Sequence, residues 1–192
     1  MRLDSICPYL SNIKCETKIR ERQKSMLNID GFDEKTKNEY RDVVKQPDIK
    51  KLKVMYEEVF VAKGKLEDKA KSMTLAITVS VTLILGLIDK MLMIFSTINF
   101  MPVRGLIACM SIVAIWYMVI AGLASAKVFL TDIMIYKIDD TEDKLRQQYR
   151  KNIILNRLSN VVRSNYIYTA YECLRNSLIL LFGLFVFMII VA

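Results

Sequence analysis

Gly105–Ala126 runs for 22 residues without a charged side chain, and that run decides most of what the chain can become. At about 1.5 Å per residue a helix of this length covers about 33 Å, and a bilayer's hydrocarbon core is about 30 Å thick. The run therefore reads as the centre of a membrane-spanning helix, about Gly105–Leu130, with Lys127 and Asp132 marking re-emergence. A second uncharged run, Ser72–Ile88, has 17 residues, stops at Asp89-Lys90, and is followed by apolar Met91–Val103. It reads as a first span, Ser72–Phe95, with Asp89 and Lys90 near the far interface, where lysine can snorkel. Pro102 and Arg104 mark a short outer loop between the two. The last 16 residues, Ser177–Ala192, are also uncharged but cover only about 24 Å. They span if Glu172 and Arg175 sit close to the headgroups or the bilayer thins; shallow insertion is the alternative.

The fold class that follows is an all-α integral membrane protein. It has three transmembrane helices, a hairpin plus a C-terminal span, with extended cytosolic helices. Residues 1–71 form a cytosolic helical or coiled-coil region and 72–130 the hairpin. A cytosolic helical segment, 131–171, precedes the final span, 172–192. The sparse Gly and Pro and the absence of sustained period-2 alternation argue against a β-barrel.

Charge sets the orientation. Residues 1–72 hold 17 Lys/Arg against 13 Asp/Glu, and 131–175 hold eight against six. Basic excess on segments flanking spans places them, and the N-terminus, in the cytoplasm. The same placement accounts for the net charge of +8 without nucleic acid. The basic segments lack the aromatic interleaving that stacks bases. Met1–Ser25 has no apolar stretch of the kind a signal peptide needs.

Catalytic chemistry finds few tools. The chain has no His, which removes His-ligated zinc and Ser-His or Cys-His pairs. Phosphate loops and nucleophile elbows are missing too, and no cofactor is expected. Cys7, Cys15, Cys109 and Cys173 are spaced as four reduced thiols rather than as metal ligands. The acidic run Asp139–Asp143 lacks the spacing of an EF-hand loop and reads as a solvated turn, Thr141 starting the next helix.

Two short polar helices are expected before the spans, Pro8–Leu27 and Asp33–Lys45, with Asp33 as N-cap and a turn at 28–31 between them. Beyond Pro47, Leu52, Met55, Val59, Ala62 and Leu66 recur at 3-4-3-4 spacing, an a/d seam over about three heptads. The seam serves either self-association or packing on the chain's own helices. It runs without a break into the first span.

Polar stripes mark the embedded helices. Thr74, Thr78 and Thr82 recur every fourth residue, with Asp89 further along. Asn165, Thr169, Glu172 and Asn176 form a second stripe leading into the last span, extended upstream by Asn152, Asn156, Asn160 and Ser164. Ala121-x-x-x-Ser125 and Gly122-x-x-x-Ala126 place small residues one turn apart, a pattern that lets helices approach closely. Such stripes either pack within the chain or, around an axis, line a water-filled path. Glu172 and Arg175, at i and i+3, are placed to pair with each other. Trp116 and Tyr117, near mid-span, are expected to pack between helices.

Across Tyr56–Lys137 the order of parts resembles the SLATT class of small bacterial defence-associated membrane effectors. The charged helix Lys63–Lys71 runs into a two-span hairpin and exits into a polar helical segment. The third span and the first 47 residues depart from that pattern. The seam continuous with the first span, the threonine face and the polar mass on one side of the membrane lead to the expectation of a homo-oligomeric, multi-pass membrane effector, and the resemblance implies the bacterial inner membrane as its place. Such a protein forms a pore or ion channel, or otherwise perturbs the membrane, in antiviral defence by abortive infection. Its partners would be the lipid bilayer, further copies of itself, and a cytosolic protein or signalling ligand as trigger. A non-conducting anchor that recruits a soluble partner is the competing expectation. A secondary transporter needs internal repeats or broken helices that are absent here.

Overall fold

The computed structural model describes residues 8–28, 31–97, 101–135 and 141–191, without the side chains at 83, 85–92, 94, 95, 97, 188 and 191. Among these residues the fold is entirely helical. The helices are α1 (Pro8–Asn28), α2 (Glu34–Glu39), α3 (Arg41–Val44), α4 (Ile49–Thr97), α5 (Met101–Leu130) and α6 (Glu142–Val191).

Two of them are long and apolar enough to cross a membrane. Their most apolar stretches have mean hydropathy 2.3 in α5 and 1.5 in α6, and only 22% and 28% of those stretches is buried within the chain. A core helix of a soluble protein would be mostly covered; these present Ile112, Ile115, Leu123, Phe182 and Ile189 outward.

The two helices pack antiparallel in a constant register. Val128 lies against Val162 and Tyr166, Ala121 against Cys173 and Leu174, and Ile107 against Leu184. Between the last two, Ser177 donates to the carbonyl of Ala114 at 2.8 Å. Small residues on α5 permit the approach. The third helix, α4, joins where Ala70 meets Ala124 and Val128 and where Ile77 meets Ala121. Beyond Ile77, Val79, Val81 and Thr82 are exposed.

At the charged end, α1, α3 and the first half of α4 wrap the start of α6 around a core of Met26, Val43, Leu52, Val59, Ile154 and Leu158. Arg157 reaches Asp42 at 2.8 Å, Arg150 the carbonyl of Gln46 at 2.7 Å, and Arg22 pairs with Glu39 at 2.7 Å. These polar contacts fasten the N-terminal helices to one another and to α6.

Several boundaries differ from the sequence reading. Residues 142–171 and the last apolar run form one unbroken helix, α6, because no Pro or Gly interrupts the passage from polar to apolar residues. Pro102 and Arg104 lie in the first turn of α5 rather than in a loop. The first-turn N–H that proline lacks has no helical partner in any case. The Arg104 guanidinium instead donates to the Ser96 carbonyl at 2.9 Å and ties the two helix ends. The helix expected over 33–45 breaks at Tyr40, whose backbone leaves the helical region. Asp33 does cap it, accepting from the Thr36 N–H at 3.1 Å. Cys7, Asp139 and Asp140 lie outside the described residues, and Asp89 is described only as backbone of α4.

Candidate functional site

The polar stripe of α6 and the face of α1 laid over it share a chain of polar contacts. Gln23 is buried and its amide donates to the Leu155 carbonyl at 2.9 Å and to the Ser159 hydroxyl at 3.0 Å. Two turns earlier on α1, Glu16 accepts from the Tyr166 hydroxyl and from Arg20 at 2.6 Å. Burial raises the Glu16 carboxyl, but the hydrogen bonds from Tyr166 and Arg20 and the Arg20 charge outweigh it and hold its pKa below the usual 4.5. Asn165 then reaches Cys15 at 3.4 Å. Further down, Asn12 is buried with neither amide atom hydrogen-bonded among the described residues. It borders a cavity of about 200 Å³ shared with Ser11, Cys15, Asn165 and Thr169. Helix α1 thus covers the first half of the stripe.

The second half is an ion pair. Arg175 grips Glu172 through both terminal guanidinium nitrogens, Nη1 reaching Oε1 at 3.0 Å. Glu172 is 5% exposed at the side chain and Arg175 42%. Depth gives this pair its interest. Ser125 donates to the Ala70 carbonyl at 2.9 Å, so Lys71 is level with Ala124, which the α5–α6 register sets opposite Ile167. Glu172 and Arg175 therefore sit about 7 Å and 12 Å past the last lysine before the apolar zone. Asn176 accepts from Arg175 at 3.2 Å.

The threonine stripe of α4 resolves differently along its length. Thr74 and Ser125 are 2.8 Å apart, and each also lies within hydrogen-bond distance of the Ala70 carbonyl. Two hydroxyl protons serve three short contacts, so one hydroxyl donates to Ala70 and the other to its neighbour. Thr78 and Thr82 donate to the carbonyls of Thr74 and Thr78, both at 2.9 Å, and stay exposed. Both hydroxyls are thus spent on their own helix.

The heptad seam divides as well. Leu52 and Val59 are buried in the chain's own core and Met55 packs against it. Ala62 is exposed, and with Leu66 it borders a groove of about 630 Å³ whose other wall is Arg157, Val161 and Ser164 of α6. The upstream asparagines act as brackets. Asn156 exchanges hydrogen bonds with both backbone groups of Met134, and Asn160 donates to the Val59 carbonyl at 3.0 Å. Tyr117 packs against Ile77 and Cys173 as expected, whereas Trp116, expected between helices, is 64% exposed.

Sequence reasoning missed the hold of α1 on α6, the Glu16–Tyr166 contact and the burial of Arg163. All three join residues more than 30 positions apart, and periodicity within one segment carries no such signal. No family model, no curated relative and no solved structure matches this chain.

Proposed function

We propose that this protein is a homo-oligomeric effector of the bacterial inner membrane, with three spans and its N-terminus in the cytoplasm. It permeabilises that membrane when a cytosolic signal or partner changes the packing of its head. The observation that carries the reading is the Glu172–Arg175 pair. A guanidinium 42% exposed about 12 Å into an apolar zone has no stable place against lipid tails. Ionisable groups at such depth face a partner or a water-filled cavity. A second copy, or water between copies, satisfies Arg175, and the exposed Thr78 and Thr82 offer further polar lining. Coupling to the cytosol runs through α4 and α6, each continuous from head to span. A role in antiviral defence rests on the likeness of Tyr56–Lys137 to SLATT effectors.

The test is the mass of the detergent-solubilised full chain, followed by dye release from reconstituted liposomes. A defined oligomer whose leak falls at least about tenfold in Arg175→Leu and in the Thr78→Val/Thr82→Val double variant supports the reading. A monomer that leaves liposomes tight overturns it. In that case the competing reading stands, a non-conducting anchor. It is favoured by the groove between Ala62 and Val161, whose mixed apolar and charged walls suit a cytosolic protein partner.

A further inference from the structure

Five residues of α5, Val113, Trp116, Ile120, Leu123 and Lys127, follow one another at spacings of 3-4-3-4 and so share one helix face. The first four form one wall of a cleft of about 480 Å³; Pro8 and Leu10 of α1 form the opposite wall, and Cys173 of α6 is also part of the lining. The cleft lies at the level of the apolar zone, since Cys173 is beyond Glu172 on α6. The first turn of α1 supplies three of its lining residues, Pro8, Tyr9 and Leu10.

Both walls end the same way at the head. One turn beyond Leu123 is Lys127, and one turn beyond Leu10 is Lys14; both are exposed. The nearby carboxylate of Glu16, two residues along from Lys14, is already engaged by Tyr166 and Arg20, with Lys127 adding a longer-range attraction. An apolar slot crowned by two ammonium groups matches an amphiphile with an apolar chain and an anionic head.

From this geometry we infer that the cleft binds one anionic phospholipid of the head-side leaflet. An acyl chain lies between Leu10 and Leu123, and the phosphate is at Lys14 and Lys127. Binding there joins α1 to α5, so the lipid also pins the N-terminal helix over the polar stripe of α6. The inference rests on reading α5 and α6 as spans, and its test separates the two.

Membranes holding the full chain are first washed with alkaline carbonate. The purified protein is then titrated with phosphatidylglycerol or phosphatidylcholine of the same acyl chains. Bound lipid is counted by native mass spectrometry and stability followed as Tm. Phosphatidylglycerol should be retained at one per chain and bind more tightly than phosphatidylcholine. Each of Lys14→Gln and Lys127→Gln should weaken it about fivefold. Leu123→Trp, a change at an exposed position that fills the slot, should abolish retention of both lipids while leaving helix content unchanged. Inorganic phosphate should not move Tm.

Protein that stays in washed membranes yet binds both lipids equally overturns the site alone. So does undiminished retention in Leu123→Trp, which would assign the lipid to the ordinary annular shell. Protein released by carbonate overturns the spanning reading and the site with it.

Discussion

The guanidinium of Arg163 donates to the main-chain carbonyl of Thr131, 32 residues earlier, where α5 ends. Arg163 is 1% exposed and also holds the Asn160 side chain at 2.8 Å. Its charge lies at the negative end of the α5 dipole, and it satisfies a carbonyl that the helix itself cannot. The turn leading from α5 toward α6 is therefore closed by a side chain from the far element.

Removing that side chain strands buried acceptors. Arg163→Met should cost about 3 kcal/mol, the range for losing charged hydrogen bonds and leaving their partners unpaired. Arg163→Lys should recover less than half, since one ammonium cannot reproduce the fork. Chemical denaturation in a mild detergent would read both.

Gln23 is the deepest polar anchor of α1. Gln23→Met keeps the volume but loses two hydrogen bonds and unpairs the Ser159 hydroxyl, which should loosen α1 by about 1–2 kcal/mol. The expected sign is faster trypsin cleavage at Lys14, Lys18 and Lys24 with the Tm of the remainder little changed. Uniform loss of stability would show that α1 and the bundle melt as one unit.

The Glu16 carboxyl is held below its usual value in the folded chain. It therefore contributes stability that is fully present above pH 4.5 and is lost as pH falls through the lowered folded value. The difference in Tm between the parent chain and Glu16→Gln should be largest at pH 6–7 and close toward pH 3. A gap independent of pH would assign the effect to packing.

Ser125 and Ala70 fix how closely α4 and α5 approach. Ser125→Leu puts a large side chain into a layer where Ala70 and Ala124 are fully buried, and should cost about 1–3 kcal/mol by overpacking. Ser125→Ala should cost about 1 kcal/mol. Gly122→Ala, at a position with open space around it, should be neutral or slightly stabilising. Melting curves of the three variants separate contact from propensity.

Elements governed by neighbours along the chain were legible in the sequence. The Asp33 cap, the start of α6 just after Thr141, the apolar run of α5 and the Glu172–Arg175 pair each depend on residues within a few positions. Periodicity found Leu52 and Val59 as an apolar seam but did not say which surface would cover them. That surface is α6, and the choice depends on Ile154 and Leu158, a hundred residues away. Asn156 and Asn160 appeared as a line of polar residues. Their function as brackets on Met134 and Val59 needed the loop and α4 placed beside them. The break at Tyr40 escaped because nothing in the composition of 33–45 forbids a continuous helix.

Helix α4 is gripped between Leu52 and Ile77 and runs on past its last described packing partner. Mechanically it is a lever with its fulcrum at the Ala70–Ser125 contact. The arms on either side, Ile49–Ala70 and Ala70–Thr97, measure about 32 Å and 40 Å. With arms so nearly equal, a tilt that shifts the head end by a given distance swings the other end slightly further, in the opposite direction.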